Sequence, residues 1–182
     1  MPTLALATST AVLGASVGFL PALAAQDGSG LLSAVGIASV LALTSTVVQP
    51  WVGNHRDSSR LGDRLGTAIG LVVTAAGVLA AAAPWGAIGL YGAAVLIGAG
   101  IGIVTPFGFA ALADSTPPER LGRTMGSAEL GRELGDSAGP LLVGAVATAV
   151  SLPVGLAALA GVTGIAALAV GATPASRSAP RS

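Results

Sequence analysis

Four charged side chains recur at helical spacing inside an otherwise apolar stretch of this chain: Glu129, Arg132, Glu133 and Asp136. Their i, i+3, i+4, i+7 spacing places all four on one face of a helix. A lone charge deep in a membrane helix costs about 2.5–3.5 kcal/mol on insertion scales. We therefore expect Asp136 to face the interior of a helix bundle and to pair with Arg132, one turn away. The cluster is interpreted either as a proton or gating site or as a structural ion cluster.

A stripe of small residues runs along the same helix. Gly131, Gly135 and Gly139 are four residues apart and lie about 110° from the charges around the helix axis. Small residues let helix backbones approach closely in lipid. Counting about 20 residues back from Val150 puts the membrane boundary near Gly131, with Asp136 roughly 8 Å inside it. We predict one face pressed on a neighbouring helix and an adjacent face that carries charge.

The composition places these stripes in a membrane protein. The chain has 182 residues, of which 53% are hydrophobic and only 9% charged, whereas a soluble domain carries about 25% charged residues. The absence of cysteine excludes disulfides and thiolate metal sites, and a single His55 excludes a multi-histidine site. A formal net charge of zero gives no indication of nucleic-acid binding. All eight basic residues are arginine, which points to a GC-rich bacterial source.

Six stretches are long and apolar enough to cross a bilayer as helices, since about 20 residues span the hydrocarbon. Turn-forming Gly, Pro and polar residues separate them. The predicted spans are residues 4–25, 31–53, 65–83, 86–113, 125–150 and 153–172. The first span ends in an Ala-rich segment that resembles a signal-peptidase site, but it has no basic flank, so a retained span is favoured. The predicted fold is an all-α bundle over residues 1–172, followed by a disordered basic tail at 173–182.

The arginines predict the orientation of the spans. The first, third and fifth loops contain no arginine, whereas the other connections and the tail are basic. This positive-inside pattern predicts that both termini are cytoplasmic and that the protein lies in the cell inner membrane. The basic residues that carry the argument are Arg56, Arg60, Arg64, Arg120, Arg123, Arg177 and Arg181.

The second loop has a pattern of its own. Acidic residues alternate with arginine and with glycines that permit tight turns. Such a loop is interpreted either as a gating element or as an ordinary solvated loop. Its candidate residues are Gly53, Asp57, Arg60, Asp63, Arg64 and Gly66.

At these residues the chain resembles the major facilitator superfamily. The second loop is similar to that family's cytoplasmic Gly-x-x-x-Asp-Arg/Lys-x-Gly motif, although no single frame matches throughout. The fifth span is similar to the family's antiporter motif, Gly-x8-Gly-x3-Gly-Pro-x2-Gly-Gly, with one departure at Val143. The residues in register with the antiporter motif are Gly126, Gly135, Gly139, Pro140 and Gly144.

The resemblance implies a transporter that exports small molecules in exchange for protons. A membrane enzyme would need a cluster of catalytic groups, which a single histidine in a loop disfavours, and we expect no cofactor or metal. Transporters of this kind have two six-helix bundles, often built from three-plus-three inverted repeats. The chain corresponds to one bundle and looks most like the second, because its loop motif is degenerate. We therefore expect a second six-helix bundle as partner, either another copy or a separate chain. The alternative is a non-transporting membrane subunit or an orphan fragment.

Overall fold

The computed structural model describes residues 1–26, 28, 30–56 and 62–172, excepting the side chains of His55 and Arg56. These residues form six long α-helices, a short 3-10 turn and no strand, which confirms the predicted all-α class. The helices are α1 (Pro2–Gln26), α2 (Gly30–Arg56), α3 (Asp63–Ala81), α4 (Gly86–Asp114), α5 (Leu121–Ala149) and α6 (Leu152–Ala172). The predicted tail, 173–182, lies outside the described residues.

The helix ends follow from local sequence. Gly28 and Gly30 have φ values of 73° and 77°, which the absence of a Cβ allows, and they turn the chain between α1 and α2. Pro118 begins the 3-10 turn that leads into α5, because proline's fixed φ suits a first turn. As a result α5 starts at Leu121, four residues before the predicted span.

Five of the six helices are long and apolar enough to cross a membrane: α1, α2, α3, α4 and α6. The sixth, α5, has 29 residues and is therefore long enough, but it carries the four clustered charges. It is the polar helix of an otherwise apolar bundle. The described bundle is accordingly a multi-pass membrane fold.

Two pairs of parallel helices organise the bundle. Gly131 and Gly139 of α5 lie beside Thr3 and Ala11 of α1, so these helices run in the same direction. Gly98 and Gly102 of α4 lie beside Leu41 and Ser45 of α2, which are therefore also parallel. If α1–α3 and α4–α6 are taken as two three-helix units, the first helix of each unit packs on the second helix of the other unit. This reciprocity is the arrangement expected of three-plus-three repeats.

Antiparallel contacts join the remaining helices. Gly70 and Gly77 of α3 face Val104 and Ile97 of α4, in reversed order along the chain. Leu6, near the start of α1, packs against Gly108, near the end of α4. Since α3 and α1 both oppose α4, their first turns lie at one end of the bundle. The last turn of α6 lies at that same end, beside Arg64.

The main apolar core takes buried side chains from all six helices, and α1 and α4 contribute half of them. Half of the most apolar stretch of α1 and of α4 is buried, compared with about a sixth of the corresponding stretch of α2. Fully buried side chains from both include Val12, Leu20, Ile97 and Val104. The helix that begins the chain is thus a central structural element of the bundle.

Candidate functional site

The glycine stripe of α5 packs directly on α1. A β-carbon at Gly135 would collide with the carbonyl oxygen of Ala7, and one at Gly139 would lie 2.5 Å from the carbonyl carbon of Ala11. Both glycines are buried. At Gly131, a β-carbon would approach a methyl group of Thr3 to 3.0 Å. The two backbones therefore approach more closely than any residue with a side chain would allow at these positions.

A hydrogen bond between the helices fixes their register. The buried hydroxyl of Thr10 in α1 donates to the carbonyl oxygen of Arg132 in α5 over 2.8 Å. The same hydroxyl is within 3.0 Å and 3.1 Å of the Ala7 and Leu6 carbonyl oxygens of its own helix. Thr10 thus ties the charged part of α5 to the first half of α1.

Arg132 pairs with Glu129, not with Asp136 as predicted. Its Nη1 lies 2.9 Å and 3.1 Å from the two carboxylate oxygens of Glu129. Its guanidinium carbon lies 5.6 Å from the ring centroid of Phe109 in α4, within cation–π range. Helical side chains lean toward the helix N-terminus, so the partner one turn before Arg132 is the one reached. The predicted pairing with Asp136, one turn after it, is wrong.

Asp136 lies at the middle of two helices. It is one residue past the midpoint of α5, and it packs beside Gly14, the midpoint of the 25-residue α1. A β-carbon at Gly14 would lie 2.6 Å from Oδ1 and 2.5 Å from the backbone oxygen of Asp136. The side chain is exposed rather than turned into this bundle, because it projects about 100° from the buried Gly135. The expected burial of Asp136 within the six helices is therefore corrected.

Pro140 adds a second polar feature at the same place. Proline has no N–H, so the carbonyl oxygen of Asp136, four residues earlier, receives no helical hydrogen bond from it. That oxygen lies beside Gly14, together with the carboxylate oxygen Oδ1. Asp136 therefore presents both a carboxylate and a backbone carbonyl released from the helix ladder at mid-helix.

The remaining candidate residues of α5 lie to either side of this position. Glu133 is exposed, nearly one turn before Asp136. Gly126 is also exposed, and a β-carbon there would meet no atom within 4 Å. Gly144 is half-buried, and a β-carbon there would lie 3.8 Å from a ring atom of Phe19.

The antiporter-like residues therefore differ in what they contact. Of the five in register with that motif, Gly135 and Gly139 make the close helix contact with α1. Pro140 interrupts the helix ladder, and the other two have open or ordinary surroundings. Among the described residues no group of three acidic or histidine side chains could hold a metal ion.

The second-loop residues are divided by the structure. Arg64 donates from Nε to the carbonyl oxygen of Val170 over 3.0 Å and from Nη2 to that of Gly171, at the end of α6. Gly66 is buried against the ring of Phe107, which would lie 2.5 Å from a β-carbon there. The other candidates complete the set: Asp63 begins α3, Gly53 is half-buried near the end of α2, and Asp57 and Arg60 lie outside the described residues.

Sequence reasoning missed three residues of this region: Thr10, Gly14 and Phe109. Each acts across a helix–helix contact rather than within α5. Threonine and glycine are frequent throughout the apolar spans, so neither residue type distinguishes these positions. The sequence shows that Phe109 lies near the end of a predicted span, but it does not indicate that Phe109 contacts Arg132.

A family model described as the Major Facilitator Superfamily matches residues 3–182. The chain belongs to this superfamily. Its six helices with reciprocal parallel pairs fit one half of the superfamily's fold, which consists of two six-helix halves. The superfamily is one of transporters, so the chain is a multi-pass membrane protein of a transport family. No curated protein matches the chain.

Proposed function

We propose that this superfamily bundle is one half of a proton-coupled exporter of small molecules, working by alternating access with a second six-helix bundle. The observation that carries the proposal is the position of Asp136, an exposed carboxylate at the midpoint of both α5 and α1. Acidic side chains inside membrane bundles commonly belong to proton or substrate paths. The exposed side of α5 is then the side that a second bundle completes.

The glycine packing supports a moving part at this helix. Gly135 and Gly139 hold α5 against α1 through backbone contact, while Pro140 interrupts the helix ladder at Asp136. Rocking of one bundle against another around a central site is the usual mode of alternating access.

In contrast to the centre of α5, the end of the bundle at the first turn of α3 is held by direct contacts. Arg64 and Gly66 tie α3 to α6 and α4 there. We propose that this end faces the cytoplasm of a bacterial cell, with both termini on the same side.

The test uses inverted membrane vesicles from cells that express the full chain, alone or with a second six-helix chain of the family. A proton gradient is imposed and uptake of a panel of labelled small molecules is measured with and without an uncoupler. We expect uptake that collapses with the uncoupler and is abolished by Asp136→Asn. The matched control is Glu119→Gln, which removes a carboxylate from the short turn before α5.

Unaltered transport by the Asn variant would remove Asp136 from the mechanism. Crosslinking in the same vesicles tests the partner. Capture of a second bundle supports the bipartite arrangement, whereas a strictly monomeric chain would favour a non-transporting subunit or fragment.

A further inference from the structure

An apolar groove runs between α3 and α6 on the outer side of the bundle. Its cavity volume is about 550 Å³, and its walls include Leu65, Ile69 and Val72 of α3 and Gly164 and Leu168 of α6. Along α3 it extends from Leu65 to Val73, about 12 Å at 1.5 Å per residue. One leaflet of a bilayer contributes about half of the ~30 Å hydrocarbon thickness. The groove is therefore close to the length of an acyl chain within one leaflet.

A positive charge marks one end of the groove. Arg64 directly precedes Leu65, and it donates to the carbonyl oxygen of Gly171, which is itself a wall residue. Toward the part of the chain that the structure describes, Arg64 donates to two neutral carbonyl oxygens from two of its nitrogens, whereas a guanidinium carries five N–H groups and a fixed charge. Guanidinium groups bind phosphate through paired hydrogen bonds. Apolar walls and a terminal arginine are complementary to an anionic phospholipid.

We propose that the α3–α6 groove binds one anionic phospholipid, with an acyl chain along the groove and the headgroup phosphate at Arg64. The lipid would join the first turn of α3 to the last turn of α6. This inference concerns the outer surface of the bundle and does not depend on the proposed transport activity.

Two substitutions separate the groove from the charge. Gly164→Leu fills the groove, because a β-carbon at Gly164 meets no atom within 4 Å and the added side chain clashes with nothing at its base. Arg64→Gln removes the charge. Gly92→Leu is the matched control, since Gly92 is equally open but lies on α4, away from the groove walls.

The full chain is purified in detergent and titrated with dioleoyl phosphatidylglycerol or dioleoyl phosphatidylcholine, and bound lipid is counted by native mass spectrometry. We expect the first phosphatidylglycerol to bind about tenfold more tightly than phosphatidylcholine, because both lipids carry a phosphate but the choline ammonium cancels the net negative charge that Arg64 attracts. Arg64→Gln should remove that preference. Gly164→Leu should weaken binding of both lipids about tenfold, while Gly92→Leu binds like the unmodified chain.

Equal binding by Gly164→Leu and Gly92→Leu would overturn the groove as the binding site. Equal affinity of the unmodified chain for the two lipids would overturn the role of Arg64. Displacement of the lipid by inorganic phosphate alone would show a free-anion site instead. Arg64→Gln also removes hydrogen bonds to the last carbonyl groups of α6, so circular dichroism checks the helix content of this variant. If Arg64→Gln unfolds, Gly164→Leu, which keeps Arg64, still tests the groove.

Discussion

A β-carbon on Gly14 would lie 2.6 Å from the carboxylate oxygen Oδ1 of Asp136. The centre of α1 thus accommodates a charged residue of α5 because a side chain is missing there. This contact joins the midpoints of two parallel helices, and it lies where the proposed proton path would run. The stability of the pair can be tested without any knowledge of the substrate.

We expect Gly14→Ala to destabilise the bundle by about 1–3 kcal/mol, the usual range for overpacking. The added methyl group would also lie 2.5 Å from the backbone oxygen of Asp136, which moves only with the helix. Thermal unfolding in detergent measures the effect. Gly18→Ala, one turn later on α1, is the control, because nothing lies within 4 Å of a β-carbon there. A lower melting temperature for both variants alike would contradict this interpretation.

Gly139→Ala should be similarly destabilising, because its β-carbon would lie 2.5 Å from the carbonyl carbon of Ala11. The two backbones would have to separate, with loss of the dispersion contacts that hold membrane helices together. Gly126→Ala provides the comparison within α5. Its surroundings are open, and alanine is a better helix former than glycine by about 1 kcal/mol, so it should be neutral or stabilising in the same unfolding assay.

Ser16→Ala should raise the stability. The hydroxyl of Ser16 is buried and has no hydrogen-bond partner in the part of the chain that the structure describes. An unsatisfied buried polar group costs about 1–3 kcal/mol. Ser9→Ala is the contrast on the same helix, because Ser9 is equally buried but donates to the carbonyl oxygen of Leu6 over 2.8 Å. Identical melting temperatures for the two variants would show that the Ser16 hydroxyl has a hydrogen-bond partner in the folded protein.

The orientation of the bundle can be read with single cysteines, since the natural chain has none. We expect cysteines at Gly28, Pro84 and Ser151 to react with a membrane-impermeant maleimide in intact cells. Cysteines at Gly62 and Thr116 should react only after permeabilisation, because their connections are the arginine-bearing ones. The opposite labelling pattern would invert the proposed topology, and labelling of both sets in intact cells would rule out a single orientation.

The helices were predictable from the sequence because hydropathy and turn residues act locally. Each predicted span overlaps one observed helix, and the largest shift of a starting residue is at α5. Hydropathy locates where a chain meets lipid, whereas Pro118 decides where this helix begins. The glycine stripe was predictable for the same reason, since its four-residue spacing follows from helical geometry alone.

The pairing of the charges was not predictable. Spacing alone allows Arg132 to bond either Glu129 or Asp136. The choice depends on the lean of helical side chains and on Phe109, which another helix supplies. The contact between Asp136 and Gly14 likewise depends on how α1 and α5 cross. The first contact joins α5 to α4 and the second joins α5 to α1, so both arise from packing between separate helices and no pattern within α5 predicts them.

The polarity of α5 has a consequence for how the protein is made. The other five helices are long and apolar enough to cross a bilayer, but Asp136 costs up to about 2.5–3.5 kcal/mol on insertion scales when its helix is isolated, and Glu129, Arg132 and Glu133 add further charge to α5. We therefore expect α5 to enter the membrane only when α1 is already in place to receive its glycine face and α6 follows to hold it there. Chains that are truncated soon after residue 150 and released from the ribosome should leave this segment accessible to water.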